Sequence, residues 1–219
     1  MMFPVAPEGR IFVIGTAWLA VITLLFGYTE AGALLVFVAI ALLLLFRDFV
    51  RPIPPQALGI LAPTDGTVQS LDEAVDPFTG KPARRIVIRQ RALGEYNLNA
   101  PQEATLVRRV WPGKESDEKP DPQLTGQLGL AFETDEGHAL SLALDLRRWP
   151  RFVRLPVITG SRIGRGKRLG FAGFGGSVTL WVPHTAHVSA RPGQLVLAGA
   201  DLLGELPGQK KASAEAPRS

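Results

Sequence analysis

The sequence predicts a mainly β domain carried on an N-terminal pair of apolar helices. Three observations predict it: two adjoining uncharged apolar runs near the start, an abrupt change to short β-prone segments after residue 58, and Gly-punctuated half-motifs at both ends of the β region. With 219 residues and 46% hydrophobic content, the chain can hold one ordinary domain besides the apolar helices. It has no cysteine, which excludes disulfides, thiolate catalysis and Cys-ligated zinc.

The apolar runs are Ile11 to Gly27 and Ala31 to Phe46. Each spans about 25 Å as a helix, slightly less than a hydrocarbon core of ~30 Å. The connector Gly27-Tyr28-Thr29-Glu30 allows only a tight reversal, so a transmembrane helical hairpin is expected over 11–46 behind a short tail, 1–10. A re-entrant or interfacial hairpin is the alternative. A cleaved leader fits less well, because no small-residue cleavage pattern separates the two runs. Arg10 precedes the hairpin and Arg47 and Arg51 follow it, while the loop carries only Glu30. The positive-inside rule then predicts an inner (plasma) membrane protein with its β domain on the cytoplasmic side.

Pro52, Pro54 and Pro55 forbid helix continuation and predict an extended linker over 47–58. Beyond it, Arg85 to Arg89, Ala139 to Leu144 and Val178 to Val182 alternate with Gly and Pro punctuation, as antiparallel strands do. Gly59 to Val68 and Val188 to Asp201 resemble the paired half-motifs of a biotinyl- or lipoyl-like barrel-sandwich. In each, Gly permits a tight turn and the flanking apolar residues face a shared core. A carrier domain of that fold needs an exposed Lys at a hairpin tip, and no Lys sits at a matching place. The β domain is expected over 59–208. Within it Gly113 to Gln127, charged and Pro-rich, reads as a mobile loop, and Gln209 to Ser219 lacks the apolar content to fold.

The net charge of +4 is unevenly spread: Arg147 to Arg168 holds eight Lys or Arg and no acidic residue. That suits an anionic lipid surface or a phosphate-bearing head group, the bland alternative being a solvated basic edge. No aromatic interleaving suggests nucleic acid. His138, His184 and His187 are the only histidines. The spacing of the last two suits metal ligands, but without a third ligand they read as surface or satisfied core residues, and no metal is expected.

Several segments fall in an order that is more specific than any one of them. Leu169-Gly170-Phe171-Ala172-Gly173-Phe174-Gly175-Gly176-Ser177-Val178-Thr179-Leu180-Trp181-Val182-Pro183 resembles the end of the phosphatidylserine decarboxylases, where Phe-Gly-Ser is followed by Arg-Val-Asp-(apolar)-Tyr-Leu-Pro. Phe46 to Pro55 resembles the family's membrane-exit junction, with Arg47, Asp48, Arg51 and Pro54 kept. Pro63-Thr64-Asp65-Gly66 is similar to its Pro-(Ala or Val)-Asp-Gly, and Gly94 to Pro101 to its Asp-Val-His-Val-Asn-Arg-x-Pro. Leu146-Arg147-Arg148-Trp149 and Gly166-Lys167-Arg168-Leu169-Gly170 resemble its basic segments before the reactive strand. The likeness runs from the hairpin to about Gly208.

In that family the Ser cleaves its own preceding peptide bond and becomes a pyruvoyl group, the electron sink for decarboxylation. The resemblance implies that Asp65 is the carboxylate of the processing triad, although a lone Asp-Gly is more often only a turn. It implies head-group binding by Arg147, Arg148, Lys167 and Arg168. Two departures stand out. Set without gaps, Gly176 fills the reactive Ser position and Ser177 the following Arg. Counted back from Pro101, Tyr96 fills the His position, and a phenol with a solution pKa near ~10 is a poor base at neutral pH. Gly176-Ser177 is still a Gly-Ser bond, but strand alternation turns Ser177 to the opposite face unless a bulge intervenes.

Two functions follow. One is a scaffold without cofactor that binds membrane phospholipid, through an anionic head group, or a partner. The other is a pyruvoyl-dependent enzyme cleaved before Ser177. A homo-oligomer or association with a phospholipid-synthesis enzyme fits either. An accessory protein of a transport system, which also uses lipoyl-like domains, is disfavoured by the cytoplasmic placement.

Overall fold

The computed structural model describes residues 5–49, 51–91, 94–111, 124, 126–146, 152–173 and 175–208. Helix α1 (Pro7–Leu25) opens on a proline, where the missing N–H leaves no helical bond unmade. A tight reversal at residues 26–28 leads into α2 (Thr29–Leu45). The two helices pack against each other, and their outward faces expose Ile11, Trp18, Leu25, Leu34 and Phe37. Such a surface is costly in water and natural in lipid. α1 is long and apolar enough to cross a membrane; α2, at 17 residues, is shorter.

The helix begins four residues ahead of the apolar run because its first turn is held from outside. Ala6 N–H donates to Phe46 O at 2.7 Å, Val5 and Arg47 form an isolated β-bridge, and Glu8 is buried in an ion pair with Arg168 at 2.6 Å. Residues 5–10 of the segment expected as a tail are thus part of the hairpin's base.

The strands described downstream all pair antiparallel. The strands are β1 (Gly59–Leu61), β2 (Gly66–Val75), β3 (Pro82–Gln90), β4 (Asn97–Asn99), β5 (Ala104–Val110), β6 (Gln127–Glu133) and β7 (Ala139–Asp145), followed by β8 (Val153–Arg154), β9 (Arg162–Ile163), β10 (Arg168–Ala172), β11 (Ser177–Pro183), β12 (His187–Val188), β13 (Leu195–Val196) and β14 (Leu202–Glu205). They form an eight-stranded sheet in the order β13-β2-β3-β11-β7-β6-β5-β9 and two three-stranded sheets, β1-β14-β12 and β4-β10-β8. The sheets lie as in a sandwich, without closing into a barrel.

Alternation explains the core. Ile86 and Ile88, Leu128 and Leu130, Leu140, Leu142 and Leu144, and Val178 and Leu180 put every second side chain on one face, and all are fully buried. The opposite face of the large sheet carries a smaller cluster around Ala83, Ala143 and Trp181. The paired half-motifs interlock as the sequence predicts. β1 pairs with β14 and β13 with the start of β2, while Ala62 N–H donates to Asp201 O and Gly199 N–H to Ala62 O. Ile60, Ala62, Val68, Ala190 and Val196 from the two motifs share one core.

Candidate functional site

Asp65 follows β1 at the point where the half-motifs cross, and its side chain is buried. Arg51, arriving from the proline-stiffened linker, donates to it twice, Nη1 to Oδ1 at 2.6 Å and Nη2 to Oδ2 at 3.0 Å. Backbone N–H groups of Ala198 (2.8 Å) and Glu95 (3.3 Å) complete its shell. Arg51 also pairs with Glu95 Oε1 at 3.0 Å and donates to Ala198 O at 3.2 Å. Burial works against the guanidinium charge, but the hydrogen bond and charge of Asp65 outweigh it and raise the Arg51 pKa. Burial pushes the Glu95 carboxyl above its ordinary range, with Arg51 opposing and Asp65 adding to the rise.

A second node lies beside the first. Arg168 donates from Nε to Asn97 Oδ1 at 2.8 Å and from Nη2 to Glu8 Oε2 at 2.6 Å, and Asn97 Nδ2 donates to Asp48 at 2.7 Å. Between the nodes is a cavity of about 260 Å³ whose wall includes Arg51, Glu95, Asn97, Asn99, Lys167 and Arg168. Of the predicted head-group ligands, Lys167 and Arg168 line it, with Arg168 tied to the hairpin. Arg147 and Arg148 lie outside the described residues, as do Phe174 of the reactive-strand motif, the tail 209–219 and most of the segment 113–127.

Tyr96 is elsewhere. Its ring is buried against Phe171 (6.0 Å between centroids) in a cluster with Val5, Ala6 and Phe46, where burial raises its pKa against the opposing charge of Arg47. The residues of its segment that reach the cavity are Glu95, Asn97 and Asn99, with Leu98 turned into the core. That period of two was the readable signal for these positions, and the Arg51 junction the signal for the clamp.

Gly176 hangs from the neighbouring strand: Gln90 N–H donates to Gly176 O at 2.9 Å, and Gln90 Nε2 donates to Thr64 Oγ1 at 2.8 Å, next to Asp65. Its φ is +128°, a conformation L side chains rarely adopt. β11 then pairs with β3 in unbroken register from Ser177 opposite Arg89 to Pro183 opposite Ala83, so it contains no bulge to carry Ser177 across. His138 Nε2 lies 3.1 Å from Pro207 O, His184 follows β11 and His187 opens β12; no histidine lines the cavity. Among the described residues no group of three His, Cys, Asp or Glu could hold a metal.

The fold and site thus define a β protein built on an apolar helical hairpin, with a carboxylate-centred cavity where hairpin, linker and β domain meet. No family model matches the chain. It is 32% identical over 210 residues to a phosphatidylserine decarboxylase proenzyme of Symbiobacterium thermophilum, covering 93% of this chain and 96% of that one. Proenzymes of the same name from Geotalea daltonii (28%, 92% and 96% covered) and Paraburkholderia xenovorans (26%, 92% and 97% covered) are similar over the same extent. The chain belongs to the phosphatidylserine decarboxylase family.

Proposed function

We propose that this chain is an uncut, membrane-anchored member of the family that binds phospholipid, or a phospholipid-synthesis enzyme, without decarboxylating it. The observation that carries this reading is the saturation of Asp65: Arg51 and two backbone N–H groups occupy it, and the cavity holds no imidazole. In the family pattern, His and Asn two residues apart share a strand face with an apolar residue between them. Asn97-Leu98-Asn99 has that disposition, so Asn97, rather than Tyr96, takes the His place. A carboxamide has no titratable lone pair and cannot accept a serine proton.

The residues present do not fit a pyruvoyl group. The position that would generate it is Gly176, without a side chain, and Ser177 enters a regular strand without a bulge. Loss of one triad member generally costs about 10⁴-fold. What remains is a cavity with both charge signs beside a membrane anchor, with Arg10, Arg47 and Arg51 favouring the cytoplasmic side. The proposed boundaries are a hairpin over 11–46, a linker over 47–58 and a β domain over 59–208.

One observation favours the other reading, a decarboxylase cleaved between Gly176 and Ser177: the proenzymes it resembles match almost end to end. Intact mass spectrometry of the purified chain separates the two. A single full-length mass is expected; a fragment beginning at residue 177 and blocked by a keto group establishes the enzyme.

A further inference from the structure

The hairpin is fixed to the β domain through one small sheet. Phe12, Phe46, Phe171 and Phe152 form a continuous aromatic ladder, with successive centroids 6.1, 5.2 and 5.9 Å apart. Gly9 is needed where α1 passes Phe46, because a Cβ there would fall inside the ring. With the Glu8–Arg168 pair, the ladder makes the outer face of β4-β10-β8 follow the orientation of the helices. Register places Asn97 and Arg154 directly opposite Phe171, and residues opposite one another in an antiparallel pair share a face.

The rim of that face has an unusual composition for a surface bathed in water. Phe49 is 53%, Ile53 42% and Phe152 38% exposed, next to the emergence of two apolar helices. Phe49 and Ile53 line the mouth of the cavity together with Lys167. Arg154 and Lys167 are both exposed, and neither makes an ion pair among the described residues. Exposed rings edged by free cations match the head-group layer of a bilayer, where apolar tips reach the acyl boundary and cations meet phosphate.

We propose that this face lies in the head-group layer of an anionic membrane, with Phe49, Ile53 and Phe152 as its apolar contacts and Arg154 and Lys167 as its phosphate contacts. The cavity then opens to lipid, and a ligand reaches Asn97 and Asn99 by moving along the bilayer surface. Asn99 Oδ1, buried and without a hydrogen-bond partner among the described residues, is an acceptor awaiting a donor from such a ligand. The inference rests on the hairpin being a membrane anchor, and the test separates the two.

Because the native chain has no cysteine, single substitutions give single fluorescent labels. Phe49→Cys and Ile53→Cys probe the rim, Lys81→Cys probes the far end of the β2–β3 ribbon, and Phe37→Cys probes the hairpin itself. The labelled full chain is reconstituted in phosphatidylcholine vesicles with or without phosphatidylglycerol, and quenching by nitroxide-labelled lipid is measured. Rim probes should be quenched about threefold more than the Lys81→Cys probe, and more so in the anionic vesicles. Adding Arg154→Gln and Lys167→Gln should reduce that anionic increment. Quenching at Phe37→Cys with rim probes no different from Lys81→Cys overturns the proposal and leaves the anchor intact; no quenching at Phe37→Cys overturns both.

Discussion

Asp65 and Gly176 are the two positions that the family pattern couples in one reaction, and in this chain their surroundings differ sharply. Asp65 is locked by a bidentate arginine and two backbone donors, whereas Gly176 contributes only a carbonyl to Gln90 and a backbone at positive φ. On the proposed uncut reading, the difference accounts for one residue persisting without chemistry and the other not. A carboxylate that organises the crossing of two half-motifs is held by stability alone. A serine whose only task is to react has nothing else to retain it.

Asp65→Ala removes the locked carboxylate and should have the largest effect. It leaves a largely buried guanidinium with Glu95 as its remaining carboxylate and strands the N–H groups of Ala198 and Glu95. Breaking such a pair by removing one partner typically costs about 3–5 kcal/mol, so thermal unfolding of the detergent-solubilised protein should shift down by many degrees. A Tm within a degree or two of the parent would mean that Asp65 is not a structural keystone.

The second node should be weaker. Glu8 and Arg168 join hairpin to sheet through one partly exposed pair, and a double-mutant cycle with Glu8→Gln and Arg168→Gln should return a coupling of about 1–2 kcal/mol in chemical unfolding. Zero coupling would remove this pair from the attachment and leave the aromatic ladder alone in that role.

Gly176→Ser tests the other half of the comparison. At φ +128° a Cβ is strained, and the expected cost is about 1–3 kcal/mol. The variant should remain a single chain in intact mass spectrometry, because no imidazole lines the cavity to activate the new hydroxyl. Cleavage by Gly176→Ser alone would show that the base is not the missing part. Cleavage only when Asn97→His is added would support the register proposed for Asn97.

Much of this was legible in the sequence. The hairpin, the linker, the strands around residues 85–89, 139–144 and 178–182, and the interlocked half-motifs all follow from periodicity and Gly/Pro punctuation, which are local signals. The family likeness extended that to Asp65 as a central residue. What the sequence did not display was long-range pairing. Arg51 reads as part of the family-like junction, but nothing local shows that it folds onto Asp65, 14 residues away, or that Glu8 meets Arg168 across 160 positions. Counting back from Pro101 puts Tyr96 at the His position, and such a gapless count carries no information on strand faces. The ring instead packs at the foot of the hairpin, and Asn97 faces the cavity.

The smallest expected effect concerns the shared arginine. Arg51 serves two carboxylates, and burial raises the pKa of Glu95 above its ordinary 4.5. A carboxyl with a raised folded pKa binds its proton more tightly in the native state than in the unfolded one. Its stabilising contribution is therefore complete below the unfolded pKa and is lost as pH rises through the folded value. In the parent, Tm should fall across that interval just above pH 4.5 by an increment that Glu95→Gln abolishes, since an amide does not titrate. Asp65→Ala should not mimic this flattening, because it removes the clamp but leaves Glu95 to titrate. A Glu95→Gln profile parallel to the parent's would mean that Arg51 cancels the effect of burial on Glu95, and the contrast would then lie only between the Arg51 cluster and Gly176.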